Sequence, residues 1–445
     1  MSALATSIVL ATSILLVVLW GRSHKAHSTS NDLAICRQII AGVLKHKAQS
    51  NILSPHQAKA LANKHLPIAF GIDNAFTRRD SVHASIGTAY PSSRVTTNHW
   101  IEHGFPGLDH SCGDSSHKEQ DKARNKISVN RNWIKVASLA QMLSLKVVLW
   151  QIFGQKTQDK TCEESLLNLA QSINRVWISS KVESNDNDIP KFEDDDLLQT
   201  SLENIFGRHD RPEDNPLNLI LPSFETMWRV VLRAFLEIKF AGGKEIPAWR
   251  ETMIAFASRP TKSQFDTGFG PPSSRSKPQS SDDPGIGNTR GVQRSPSANS
   301  IVRESLRLYV PTRHVHRAYQ WDQGTGASYK IHSADIERCQ LRSDIWGSDA
   351  ERFNPNRWSA LTRARGNAYL PFGCPPFECP AKATFGPRMI AVLVGSLLAV
   401  LDEDSSRSWS LDCADGRVLG HIASGTRLCP QRNAYTDLYL VRSVE

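Results

Sequence analysis

The stretch YLPFGCPPFECPAKATFGPRMI, Tyr369 to Ile390, sets a cysteine, Cys379, between a turn rich in glycine and proline and a long apolar run. Gly373, Pro375 and Pro376 make the turn, and Met389 to Leu401 has the length and apolar character of a buried helix. This order places the Cys379 sulfur at or just before a helix start, where unpaired backbone N–H groups and the helix dipole favour a thiolate. A thiolate on a tight turn beneath a large apolar body suits the axial ligand of a haem iron. A buried, inert cysteine ahead of a core helix is the competing reading.

Working outward, the chain of 445 residues is long enough to enclose a cofactor in one large core. Lys and Arg outnumber Asp and Glu, 53 to 44, giving a net charge of +9. No basic run interleaved with aromatics accompanies that excess, so it reads as a basic face for an acidic protein partner or a lipid headgroup surface, and not as a nucleic-acid footprint. Eight cysteines are scattered without a CxxC pair, which fits thiols kept reduced in a cytosol-facing body.

Ser2 to Trp20 carries no charged side chain, and Arg22 and Lys25 follow at once. The expectation is a transmembrane signal anchor over residues 1–21, with its start in the lumen of the endoplasmic reticulum and the body, residues 22–445, in the cytosol. Helical periodicity is expected within Leu33–Leu66, over Asn132–Phe153, Thr161–Val176 and Leu197–Phe206, and over Ile246–Ala257. His103, His110, Cys112 and His117 lie close in sequence, but their spacing fits no usual zinc pattern. Gly268–Ser300 is more than half Gly, Pro, Ser, Asp and Asn, and is expected to be a disordered insert. After Leu401, breaks at Asp-Gly and Ser-Gly predict short hairpins.

Two helical stretches carry chemistry. Pro216–Ala241 is the longest apolar helical text, and Pro222 within it should kink the helix just before Glu225 and Thr226. Ile301–Tyr309 sets Glu304 and Arg307 three apart, on one helix face. It continues into YVPTRHVHRAY and, later, FNPNRW, Phe353 to Trp358.

Taken together these stretches resemble the cytochrome P450 monooxygenases. The haem loop of that family follows Phe-x-x-Gly-x-Arg/His-x-Cys-x-Gly; Phe372 and Cys379 stand at matching positions, while Pro375, Phe377 and Ala381 depart from it. The tail CPAKATFGPRMI is similar to fungal microsomal members of secondary metabolism. The resemblance implies a mainly α fold, a large helical domain with small β-sheets, and haem b bound through the Cys379 thiolate. It implies that Glu225 and Thr226 relay protons during oxygen activation, and that Glu304, Arg307 and Arg357 form a buried network holding the haem loop. Phe377 replaces the basic residue that normally meets a haem propionate, which leaves Arg313, on the Pro-Thr-Arg strand, as the best remaining partner. The family's Trp-x-x-x-Arg helix is not found: Trp100 is followed four residues on by Gly104. The implied activity inserts one oxygen atom from O2 into a lipophilic small molecule, with electrons from an NADPH-cytochrome P450 reductase. The alternatives are a degenerate, membrane-tethered relative without turnover, and a haem-thiolate rearrangement that needs no reductase.

Overall fold

The computed structural model describes residues 28–47, 49–73, 133–154, 160–181, 189–243, 246–267, 295–321, 329–383, 385–402 and 408–442. The expected membrane anchor at 1–21 and the His103, His110, Cys112 and His117 group lie outside the described residues, as do Trp100 and most of the 268–300 insert. From the N-terminus the elements run β1 (Ser28–Ser30), α1 (Leu33–Ala41), α2 (Pro55–Ala62), β2 (Trp133–Lys135), α3 (Val136–Phe153), α4 (Lys160–Ser179) and α5 (Asp196–Phe206). A π-helical turn (Leu221–Glu225) then leads into α6 (Met227–Lys239), α7 (Ile246–Ser258) and α8 (Ala298–Leu308). The chain finishes with β3 (His314–Tyr319), β4 (Lys330–Asp335), α9 (Ile336–Leu341), α10 (Phe385–Asp402), β5 (Trp409–Cys413), α11 (Gly416–Ala423) and β6 (Leu438–Arg442). The described structure is mostly helical with two small sheets, and the chain divides into two units.

The smaller unit takes the chain up to Lys64, Thr312–Cys339 and Phe372–Glu378. Its sheet has the order β1-β4-β3: β1 runs parallel to β4 with Ser30 opposite Ala334, and β3 pairs antiparallel with β4, His314 opposite Asp335. Helix α1 starts where the Asp32 carboxylate accepts from the Ile35 N–H at 2.9 Å, and stops at Gly42, whose φ of +76° closes the last turn. Helix α2 begins with a capping box, Ser54 and Gln57 each bonding the other's backbone N–H, and with Pro55 at its first position. Cys36, Ile39 and Ile40 form the buried face of α1, and the Tyr319 hydroxyl donates to the Ile39 carbonyl at 3.3 Å. Phe372–Glu378 belongs to this unit. There Gly373 takes φ +70°, and a Cβ at that position would stand 3.1 Å from the Phe377 carbonyl oxygen, so a side chain is disfavoured twice over.

The larger unit is helical, with an antiparallel sheet of order β2-β6-β5. Its core is α10 packed on α7, α6 and α8. The apolar run Met389–Leu401 is buried throughout, as its composition requires. At Gly395 the axes of α10 and α7 come so close that a Cβ would press on the Met253 carbonyl oxygen and lie 2.6 Å from the Ala257 Cβ. Helices α3 and α10 are long and apolar enough to cross a membrane by length and composition, yet most of each is buried inside the protein.

Three local expectations are corrected. Pro216–Ala241 is not one kinked helix: Leu217–Ile220 gives way to the π turn Leu221–Glu225 before α6 begins. Pro222 has no N–H to give the helical ladder, and the wider turn absorbs that loss. The helix bearing Glu304 starts at Ala298, inside the stretch expected to be disordered, because Ser297 caps it by accepting from the Ser300 N–H at 3.1 Å. Asp415-Gly416 is a helix start and not a hairpin turn: the Asp415 carboxylate accepts from the Arg417 N–H at 3.0 Å and α11 follows.

Candidate functional site

In the larger unit, α8 carries Glu304 with no exposed surface, and five donors converge on its carboxylate. Arg307 gives two of them, Nε to Oε2 at 2.9 Å and Nη2 to Oε1 at 2.8 Å. Arg357 gives Nε at 2.9 Å, the Trp358 indole gives Nε1 at 3.0 Å, and the Asn354 backbone N–H completes the set at 3.0 Å. Other guanidinium N–H groups reach backbone oxygens. Arg307 Nη1 bonds the Gln340 and Ala350 carbonyls at 2.7 Å each, and Arg357 bonds the Trp346 carbonyl at 2.7 Å and the Asp349 carbonyl at 3.0 Å. A guanidinium fork suits this duty because it grips a carboxylate while donating elsewhere. The structure thus brings Glu304, Arg307 and Arg357 together.

Sequence reasoning missed the rest of the cluster. Asp349 meets Arg357 at 3.0 Å. Burial raises the pKa of its carboxyl, but the Asn354 amide and the Arg357 guanidinium outweigh that and hold it below the usual range. Arg303 lies over the Trp358 ring at 4.5 Å and the Tyr369 ring at 5.3 Å, and Trp358 and Tyr369 meet edge to face at 5.0 Å. The network therefore runs to Tyr369, where the stretch that ends at Cys379 begins. Trp358, as the last letter of FNPNRW, was the available signal.

Cys379 is half-buried and stands at the N-cap of the short turn Pro380–Lys382, with α10 starting only at Phe385. Cys379 thus precedes a helical turn as expected, but a short one, and the long apolar helix begins only later. Pro380 has no N–H to donate, and the dipole of α10 acts mainly within its own first turn. Phe372 is half-buried on the preceding turn, in the smaller unit.

Glu225 is fully buried at the end of the π turn. Its Oε1 accepts from Arg432 and lies 3.7 Å from Arg229 Nε. Its Oε2 has no hydrogen-bond partner among the described residues. The neighbouring Thr226 is half-buried, its hydroxyl 3.4 Å from the Pro222 carbonyl. Further along the same helical text, Glu237 accepts from the Tyr309 hydroxyl, and burial pushes its carboxyl up to about 7.

In the smaller unit, Arg313 precedes β3 and its guanidinium already holds Glu337 at 2.5 Å. Further along the chain, on β3, Arg317 is buried. Its guanidinium lies 4.8 Å from the Phe377 ring, its Nη1 donates to the His316 carbonyl at 2.8 Å, and its Nε has no partner among the described residues. Desolvation by burial brings its pKa down to about 10. Sequence reasoning chose Arg313 because it completes Pro-Thr-Arg, and the carboxylate that occupies it is distant from that motif in the chain.

No family model matches the chain. Over 91 residues, 19% of this chain and 18% of that protein, it is 38% identical to cytochrome P450 709B3 of Arabidopsis thaliana. It is 28% identical over 107 residues to a cytokinin hydroxylase of the same plant, covering 23% of this chain and 21% of that protein. The matches thus span about a fifth of the length of these curated relatives. A six-coordinated cytochrome P450 of Thermus thermophilus superposes with a TM-score of 0.42 at 13% identity, covering 90% of this chain and 91% of that one, a likeness too low to argue from.

Proposed function

We propose that this chain is a haem-thiolate monooxygenase of the cytochrome P450 type, with Cys379 as the thiolate. The observation that carries the reading is the buried carboxylate of Glu304 gripped by Arg307 and Arg357, which reaches Tyr369 at the head of the cysteine stretch. The local similarity to plant cytochromes P450 supports it. Haem b, when bound, would supply the iron that activates O2.

In the larger unit, Cys379 is the chain's own candidate ligand for that group. A part-exposed cysteine lies on a turn at the foot of the apolar helix α10. In the smaller unit, the Nε of Arg317 has no hydrogen-bond partner among the described residues, next to Phe377, which stands where the family has its basic residue. On this reading Arg317 would be the smaller unit's cation available to an anionic group, because Arg313 is paired with Glu337. Glu225, buried with one carboxylate oxygen bonded to Arg432 and the other without a hydrogen-bond partner among the described residues, would hold and pass a proton together with Thr226. The substrate is a lipophilic small molecule, the electron donor an NADPH-cytochrome P450 reductase, and the anchor at 1–21 tethers the body to the endoplasmic reticulum membrane. The fungal assignment rests on the tail Cys379–Ile390 alone, and the matched relatives named above are plant proteins.

A second reading, a relative without turnover, is favoured by the absence of a full helix start at Cys379 and by the tight pairing of Glu225 with Arg432. Reconstitution with haem and a purified reductase separates the two. Substrate-dependent NADPH oxidation is expected on the first reading, whereas bound haem with no oxidation across a panel of lipophilic compounds establishes the second. Haem retention in Arg317→Met and Arg313→Met tests the assignment of the cation. The first variant should lose haem on gel filtration and the second keep it; the reverse order returns the role to Arg313.

A further inference from the structure

Two cysteines that no part of the proposed chemistry uses meet inside the smaller unit. Cys36 on α1 and Cys339 on α9 are 303 residues apart in sequence, yet their sulfur atoms lie 3.6 Å from each other. Neither has exposed surface. The Cys36 thiol donates to the Ser30 carbonyl at 3.0 Å, and the Cys339 thiol lies 3.4 Å from the Asn31 carbonyl. Both sulfurs therefore sit beneath the junction that leads from β1 into α1. That junction is thinly held: β1 is a three-residue edge strand.

We propose that Cys36 and Cys339 are a modification site, a dithiol that a hydroperoxide converts to a disulfide when the β1–α1 junction lifts. The first sulfur, as thiolate, attacks the peroxide, breaking the O–O bond; it becomes a sulfenic acid, and an alcohol or water leaves. The second thiol attacks that sulfur, the S–S bond forms and hydroxide departs as water. The two sulfurs together give up two electrons, the two that reduce the peroxide. Glutathione or another thiol reverses the step by exchange.

Geometry makes the site conditional. With the junction closed, the pair is out of reach of solvent, and the mutual thiol contact together with burial holds Cys36 as the unreactive thiol. Local opening of a short edge strand exposes it. The consequence falls on α1, which supports the segment before Cys379. Ile40 on α1 lies 3.8 Å from the position a Cβ on Gly373 would take, and the Cys374 sulfur lies 3.7 Å from the Arg37 carbonyl. A disulfide fixes α1 to α9, and with them the floor beneath Phe372–Glu378. Closing so long a loop also removes entropy from the unfolded chain.

The test uses the full chain with hydrogen peroxide, followed by alkylation, digestion and mass spectrometry. Expected is a linked peptide joining Cys36 to Cys339, slow to form in buffer, at least ~10-fold faster in sub-denaturing urea, reversed by dithiothreitol, and accompanied by a higher melting temperature. Cys36→Ser and Cys339→Ser should each abolish both the link and the rise. Because a serine hydroxyl in that dry site can itself impair folding, the double variant Cys36→Ala/Cys339→Ala is the control. It should melt near the reduced protein and ignore peroxide. A link from either cysteine to Cys374 instead, oxidation that stops at single sulfenic or sulfinic acids, a formation rate that urea leaves unchanged, or a lower melting temperature on oxidation would each overturn the proposal. None of these outcomes depends on haem.

Discussion

Replacing Arg357 by methionine probes the network where it is most densely bonded. The arginine side chain is 3% exposed and its carboxylate partner Glu304 is 0% exposed, so removal strands half of a buried ion pair. Breaking such a pair costs about 3–5 kcal/mol. The Trp346 and Asp349 carbonyls lose donors as well, each worth about 1 kcal/mol. Against a total stability on the order of 5–15 kcal/mol, the variant should fold but open readily around Trp346–Trp358. Because the chain forms two compact units, native-state hydrogen exchange read peptide by peptide is the suitable assay. Peptides spanning Phe353–Trp358 and the Glu304 turn of α8 should lose protection by that amount. Adding Glu304→Gln to make the double variant should cost less than the sum of the two single changes, since the second removes the charge the first left stranded. A loss below about 1 kcal/mol, the scale of an exposed ion pair, would refute the picture of a buried clamp.

Two further outcomes follow from single side chains. Glu237 has a raised carboxyl pKa, so the folded protein holds that proton more tightly than the unfolded chain. Its contribution is fullest below the ordinary glutamate range, falls as pH rises to about 7, and is flat above that. The total change is on the order of 3 kcal/mol, and urea titrations of Glu237→Gln across this window should lack that slope; an unaltered slope would assign it elsewhere. Gly395→Ala would drive a Cβ against the Met253 carbonyl oxygen and to 2.6 Å from the Ala257 Cβ, so α7 and α10 must separate. A loss of about 1–3 kcal/mol or more is expected by chemical denaturation, and a neutral effect would mean the crossing is looser than described.

What the sequence made legible was local. Glu304 and Arg307 share a helix face by spacing alone, and Met389–Leu401 is apolar enough to have no other home than a core. Arg357 was recognisable through FNPNRW, but Asp349 was not, because its place depends on how the chain returns to Arg357. The π turn at Leu221–Glu225 escaped notice, since periodicity fixes that a stretch is helical without fixing the pitch of each turn. Asp415-Gly416 carries the letters of both a hairpin turn and a helix cap, and only the following Arg417–Ala423 packing decides between them. The pairing of Arg313 with Glu337, the packing of Arg317 on Phe377 and the meeting of Cys36 with Cys339 are tertiary facts, set by residues elsewhere in the chain.

The reduced carbon monoxide difference spectrum of the haem-reconstituted protein tests the central assignment most directly. With Cys379 in place, the account predicts the long-wavelength absorbance band that a thiolate-ligated haem gives. It predicts that Cys379→Ala loses this band while Cys374→Ala keeps it. A wild-type spectrum without the thiolate band, or a band unchanged in Cys379→Ala, would contradict it.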